Sequence, residues 1–176
     1  MSQAYKISMS KESKVLSRDK RKKTLRQVEF VPSMSSHNID GISVDYSSHE
    51  ERDLSFYTIS NCNFRYADFE MAKLIGVQVE MTNFYKSYLG FSNLEFSEFI
   101  GVDFSSCNLF SANLSNTILE NCKFKNADLR RANLLNCQVY NCQFGGAIYD
   151  DKTVLPFAHE IASQVGMKSN SCGQSV

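Results

Sequence analysis

From Leu54 to Phe144 every fifth residue is large and apolar. The nineteen positions read Leu, Ile, Phe, Phe, Leu, Val, Phe, Leu, Leu, Phe, Phe, Leu, Leu, Leu, Phe, Leu, Leu, Val and Phe. With 43% of the chain apolar, an unbroken run of that length has a chance probability of roughly one in ten million. A second register runs two places ahead of the first. From Arg52 to Ala147 it holds Ala, Cys, Ser, Thr or Val at 18 of 20 sites, Arg52 and Tyr57 being the exceptions.

Neither regular element accommodates this pattern. On an α-helix five residues advance about 140° beyond a full turn, so the large side chains would scatter around the axis. On a strand, alternation with period two would send them to opposite faces in turn. The backbone therefore has to turn inside each pentad, and a quarter turn per pentad closes a square in twenty residues. Residues twenty apart should then stack. The column Leu54, Leu74, Leu94, Leu114, Leu134 is all Leu, and the column Phe64, Phe84, Phe104, Phe124, Phe144 is all Phe. Identical side chains at the roughly 4.8 Å strand spacing pack in one shared rotamer. The pattern predicts an all-β solenoid whose corners each send one large and one small side chain inward.

Three segments, "FRYADFEMAK", "FSANLSNTIL" and "FKNADLRRANLLN", resemble the A(D/N)LxX repeats of the pentapeptide-repeat family. The resemblance implies a right-handed quadrilateral parallel β-helix, here of about five coils with a short C-terminal capping α-helix. It leaves function open, because the family hosts many roles. Some members bind type II topoisomerases such as gyrase, imitating duplex DNA with a negatively charged rod and conferring quinolone or toxin tolerance. This sequence departs from them, since residues 52 to 148 hold nine acidic and eight basic side chains and steering toward a DNA-binding groove would be weak.

The register runs upstream through Ile39 and Val44 and is broken by His49, so residues 37–51 read as a degenerate first coil and residues 37–148 as the β-helix. Residues 149–167 form the expected C-terminal cap. Gly145 and Gly146 punctuate the repeat there, Pro156 suits a helix start, and Phe157, Ile161 and Val165 are spaced as an apolar helical face, predicting a helix over about 156–166. The tail 168–176 reads as disordered. Residues 1–36 form a basic, largely flexible arm: residues 1–30 carry nine Lys/Arg against three Asp/Glu, and residues 31–51 carry four acidic residues and no basic one. The arm "SRDKRKKTLRQ" is a solvated segment with at most weak nonspecific attraction for nucleic acid.

Chemistry-bearing motifs are missing. There is no Gly-rich phosphate loop, HExxH or CxxC, and "HEIAS" lacks the second His of a zinc site, which makes His159 a helix-surface residue. His37 and His49 have no clear partner. No catalytic, cofactor or metal residue is assigned, and the chain is read as no enzyme. Cys62, Cys107, Cys122, Cys137 and Cys142 all fall in the small inward register and read as buried thiols in a reducing, cytoplasmic setting, Cys122 and Cys142 stacking without a bridge. No apolar run approaches the roughly 20 residues of a membrane helix.

The positive signal lies outside. Outward positions of the middle coils hold Met71, Ile75, Met81, Tyr85, Tyr88, Phe91, Phe96, Ile100 and Phe110, whereas later coils place Ser, Asn, Lys and Arg at most of the same sites. Clustered exposed aromatics mark contact surfaces. Met71, Ile75, Tyr85, Tyr88, Phe91, Phe96 and Phe110 are the candidate partner-binding residues. Lys123, Lys125, Arg130 and Arg131 form a basic patch further along. The function expected is a noncatalytic protein-binding or scaffold module, with the topoisomerase binder and a bacterial effector or developmental regulator as alternatives. The partner is another protein, and open solenoid edges allow an end-to-end or cap-mediated homodimer.

Overall fold

The computed structural model describes residues 37–170 of the 176-residue chain; the expected basic arm and the last six residues lie outside them. A six-stranded parallel sheet forms one side, from β1 (Asn38–Asp40), β2 (Thr58–Ser60), β3 (Gln78–Glu80), β4 (Glu98–Ile100), β5 (Ile118–Glu120) and β6 (Gln138–Tyr140) in sequential order. Each strand pairs with the residues twenty places on, Ile39 with Ile59, Ile59 with Val79 and so forward. Three further ladders of parallel bridges complete the square, represented by Ser43 with Asn63, Ser48 with Asp68, and Asp53 with Lys73. The chain is a four-sided parallel β-solenoid, its first to fourth faces centred in the first coil on Ile39, Val44, His49 and Leu54.

The predicted inward rows are the core. Phe64, Phe84, Phe104, Phe124 and Phe144 are buried and stack ring on ring, with successive centroids 5.4, 5.5, 5.1 and 5.1 Å apart and interplanar angles of 5 to 20°. Burying one such ring stabilises by about 2–3 kcal/mol, and ring pairing adds about 0.5–1.5 kcal/mol. Residues flanking the inward one point outward. The next residue turns the corner in the left-handed region, with positive φ at every corner from Gly41 to Gly146.

The small register has a polar function as well as a steric one. The thiols of Cys62, Cys107, Cys122, Cys137 and Cys142 donate to the carbonyls of Ile39, Phe84, Phe99, Leu114 and Leu119, each 23 residues back, and the Ser97 hydroxyl does the same to Leu74. These Cys residues, Ser97 and Thr153 thus fill the place of Ala while returning a hydrogen bond to the coil before, whereas Ser92 and Thr117 bond to the carbonyl three residues back in their own coil. All five thiols are free. Burial pushes the Cys107 thiol up to about 12, and the Cys122 thiol is raised by its contact with Cys142 and by burial.

Several boundaries differ from expectation. His49 does not break the register: it occupies the large inward position, 2% exposed, stacked on Phe69 at 4.6 Å and edge-on to Phe64 at 5.7 Å, with Ser47 Oγ 2.7 Å from its Nε2. Burial, followed by the nearby Arg52 charge, lowers its pKa to about 4. The solenoid also runs past residue 148. β7 (Ile148–Tyr149) pairs with β8 (Lys168–Ser169), placing two residues of the expected disordered tail in a strand. On the fourth face Asn133 bridges Val154, twenty-one residues on rather than twenty. One residue is inserted there, so Thr153 takes the small inward place and Leu155 packs against the core as the large one. The first face is passed six times and the third seven, against about five coils expected.

Helix α1 spans only His159–Gln164. Ala158, at its N-cap, is extended and has no side chain to accept a helix amide, so Pro156 does not start the helix. The buried residues are Ala162 in α1 and Met167 just beyond, while Ile161 and Val165 are exposed. The face expected from 157, 161 and 165 is therefore not the packed one. Only Phe157 of the three packs inward, edge-on to Phe144 at 5.8 Å.

Candidate functional site

A residue entering the left-handed region is normally Gly or Asn, because a Cβ there meets the following carbonyl and only a short polar side chain compensates by local hydrogen bonding. The later corners obey this rule at Ser106, Ser111, Asn116, Asn121, Asn126, Asn136 and Asn141, with Arg131 the exception. Among the earlier ones Gly41, Asn61, Gly76 and Gly101 fit it too, but the bulky ones do not. Tyr46, Phe56, Tyr66, Met71, Met81, Phe91 and Phe96 all sit at φ between 46° and 63°, a conformation in which bulky residues are outliers. Most of these side chains face solvent, Phe56 at 72% exposure, Met81 at 67% and Phe96 at 63%.

The corner columns explain how such residues are housed. A Cβ on Gly76 would meet the Phe56 ring at 2.9 Å, and one on Gly101 would meet the Met81 sulfur at 2.7 Å. Phe56 and Met81 lie over glycines of the next coil. Tyr46 and Tyr66, one coil apart, stack at 4.8 Å with planes 6° apart.

The candidate residues fall into two groups. Tyr88 and Phe110 lie on the third face, Met71 and Phe91 on the corner that ends it, and Tyr85 near the corner that begins it. Phe91 and Phe110 touch edge to face at 5.6 Å, and Tyr85 meets Tyr66 at 6.0 Å. Ile75 and Phe96 lie beyond, at the far edge of the fourth face, with Ile75 half-buried. The sequence reading missed Tyr46, Phe56 and Tyr66; an aromatic residue in the corner register, two places after the inward one, was the available signal.

Between coils on the third face lies an open recess of about 300 Å³ lined by Tyr66, Lys86, Ser87, Tyr88, Ser106 and Asn108. Lys86 Nζ stands 5.7 Å from the Tyr66 ring centroid and 5.3 Å from that of Tyr85. Phe110 carries two guanidinium groups over its ring, Arg131 at 5.3 Å and Arg130 at 5.8 Å. The expected basic patch therefore divides. Arg130 and Arg131 join the aromatic zone, whereas Lys123 and Lys125 belong to the second face, with Lys123 4.0 Å from Asp103. Arg130 is neutralised by a bidentate pair with Asp128 at 2.8 and 2.6 Å, which raises its pKa. The zone offers flat rings, cation-capped edges and few uncompensated charges, a composition suited to a polypeptide surface.

Among the described residues no group of three or more His, Cys, Asp or Glu is placed to hold a metal ion, and no helix is long and apolar enough to cross a membrane.

The fold and its corner chemistry define a class, the quadrilateral β-solenoids built from five-residue repeats. The family profile for pentapeptide repeats matches residues 87–126 and 107–146 as eight copies, so this stretch of the chain carries pentapeptide repeats, and the same register continues on either side of that match. Similar solved structures include a pentapeptide repeat protein from the cyanobacterium Cyanothece 51142, 22% identical, covering 66% of this chain and 86% of that one with a TM-score of 0.31. Another, from the Arabidopsis thaliana thylakoid lumen, is 18% identical over 79% of this chain and 81% of its own, with a TM-score of 0.39. A third is QnrB1, a plasmid-mediated fluoroquinolone resistance protein, 18% identical over 69% of each chain at a TM-score of 0.37. No curated protein sequence matches the chain.

Proposed function

We propose that this protein is a noncatalytic binding module whose rigid solenoid presents the aromatic zone of its early and middle coils to a protein partner. The observation that carries the reading is the run of bulky side chains at left-handed corners. Their backbone conformation costs about 1 kcal/mol or more each relative to Gly, and their exposure returns little of it through burial. Strain retained without an internal packing return indicates a contact made outside the chain. Tyr88, Phe91 and Phe110 form the centre of the surface, flanked by Met71, Tyr85 and Arg131. Replacing Tyr88, Phe91 and Phe110 together by Ser leaves the inward rows intact, so the circular dichroism spectrum should be unchanged. The proteins captured from a lysate should change. An identical set of captured partners would refute the assignment.

A second reading has one observation in its favour. Asp40, Glu80, Glu98 and Glu120 lie on the first face, which carries no Lys or Arg among the described residues, although the solenoid as a whole is nearly neutral. A protein acting on a DNA-binding enzyme, as the family resemblance allows, would use such a face. A gyrase supercoiling assay decides it: neither inhibition nor protection from a quinolone rejects this alternative.

A further inference from the structure

The recess on the third face has a one-sided chemistry. Lys86 lines it with its ammonium held near the rings of Tyr66 and Tyr85, which meet each other edge to face with planes 87° apart. Two rings thus confine a side chain that on a bare corner would sweep through solvent. The polar groups around it are donors. Asn108 Oδ1 accepts the Phe110 N–H at 3.0 Å, which leaves the amide NH2 to donate. Tyr88 and Ser106 contribute hydroxyls, while that of Ser87 is already engaged with Cys107 Sγ at 3.3 Å. No Asp or Glu lines the recess. Residues 86–91 and 106–111, which make up the third face and its corners in these two coils, include none either.

The other cations of the zone are already compensated. Arg130 is tied to Asp128, and the Arg131 N–H donates to Asp150 Oδ1 at 3.0 Å, which sets that carboxylate beside it. Among the described residues no ion pair involves Lys86. Its charge is positioned by π-faces and is left for an acceptor from outside.

Charge and donor type select the occupant. A single nucleic-acid strand needs cations along its successive phosphates, and the zone offers one. A phosphorylated side chain brings close to two charges and favours a guanidinium fork. A carboxylate carries one charge and accepts several donors. Across Tyr88 from the recess lie Phe91 and Phe110, so the acidic group has an apolar shelf at its side.

We infer that the recess takes an Asp or Glu carboxylate of the partner protein, received by Lys86, Tyr88, Ser106 and Asn108, while apolar residues flanking that carboxylate lie on Phe91 and Phe110. This inference rests on the reading of the aromatic zone as a partner surface and adds the partner's chemistry.

Short random-sequence peptides displayed on phage and selected on the full-length chain should be enriched in Asp or Glu beside Phe, Leu or Ile. A synthetic peptide of the enriched sequence is then titrated by calorimetry. Lys86→Glu should weaken its binding about tenfold or more, and the same peptide with Lys in place of its acidic residue should bind that variant better than the original peptide does. Lys123→Glu, on the second face, should bind as the unaltered chain does. Both side chains are exposed, so the circular dichroism spectrum should not change. Peptides that require Tyr88, Phe91 and Phe110 but show no acidic preference, or ignore Lys86→Glu, would overturn the inference and leave the partner surface standing. Enrichment no greater than on the variant Y88S/F91S/F110S would overturn both. Tight binding of an oligothymidylate that is lost in Lys86→Glu would assign the zone to nucleic acid instead.

Discussion

Corners of the first three coils and corners of the later coils share one backbone conformation and almost no chemistry. The later ones are knit together: Asn136 donates to Asn116 at 3.1 Å and Asn141 to Asn121 at 2.6 Å, one coil apart. Seven of the earlier ones are bulky and six of these are exposed; Phe56 and Met81 lie over glycine, and Tyr46 over Tyr66. The difference separates two demands on a repeat. Later corners use residues that the left-handed turn prefers and that ladder along the axis, so they serve the fold. The bulky earlier corners hold residues the turn disfavours, so they serve something other than the local fold.

The contrast can be broken in order of effect. The largest belongs to His49, an imidazole in the large inward row whose later members are Phe69, Leu89, Leu109, Leu129 and Tyr149. Its folded pKa lies below its unfolded value of 6.5, so the unfolded chain binds the extra proton first. Its neutral burial is fully tolerated above pH 6.5, and stability is lost as pH falls from 6.5 toward about 4, up to about 3 kcal/mol. Urea midpoints across that window should show the loss, and His49→Phe should flatten it.

Next, replacing Phe56, Met71, Phe91 and Phe96 by Asn should raise unfolding stability by about 2 kcal/mol in total, read as a shift in the denaturant midpoint with unchanged slope. Partner capture should fall at the same time. A decrease in stability would mean that these side chains pack for the fold after all. Gly76→Ala should cost about 1 kcal/mol, from positive φ and the Phe56 ring together. Gly145, which has open space around its Cβ position, should tolerate Ala within about 0.5 kcal/mol. The reverse graft Asn136→Phe should lose about 0.5–1 kcal/mol with its ladder bond. Differential scanning calorimetry resolves these three smaller effects.

The core was legible because the solenoid repeats one solution: each Phe of the column from Phe64 to Phe144 meets the same neighbours, so a linear count identifies it. The ends were less legible because repetition stops there. His49 looked like a break in a row of hydrophobes, yet a neutral imidazole stacked on Phe69 fills the same volume. The single inserted residue before Thr153 shifted the register by one, hiding Leu155 from a strict count. Helical spacing at Phe157, Ile161 and Val165 misled because an uncapped helix of six residues is positioned by Ala162 and by the returning strand. In the candidate zone, outward direction was readable from register. The left-handed corner was not, since Asn-rich later corners suggest a turn whereas Tyr46, Phe56 and Tyr66 conceal one.

Because inward partners recur every twenty residues, the solenoid behaves as a screw whose thread is counted in quintets. Excising twenty residues from the middle shortens the rod and leaves every downstream side chain facing its original compass direction. Excising five preserves the inward rows but swings the entire downstream portion by a quarter revolution, so the third-face rings would part company with Arg130 and Arg131. Length and azimuth are therefore separately adjustable in this architecture, and gain or loss of a single quintet re-aims a surface without altering a single surface residue.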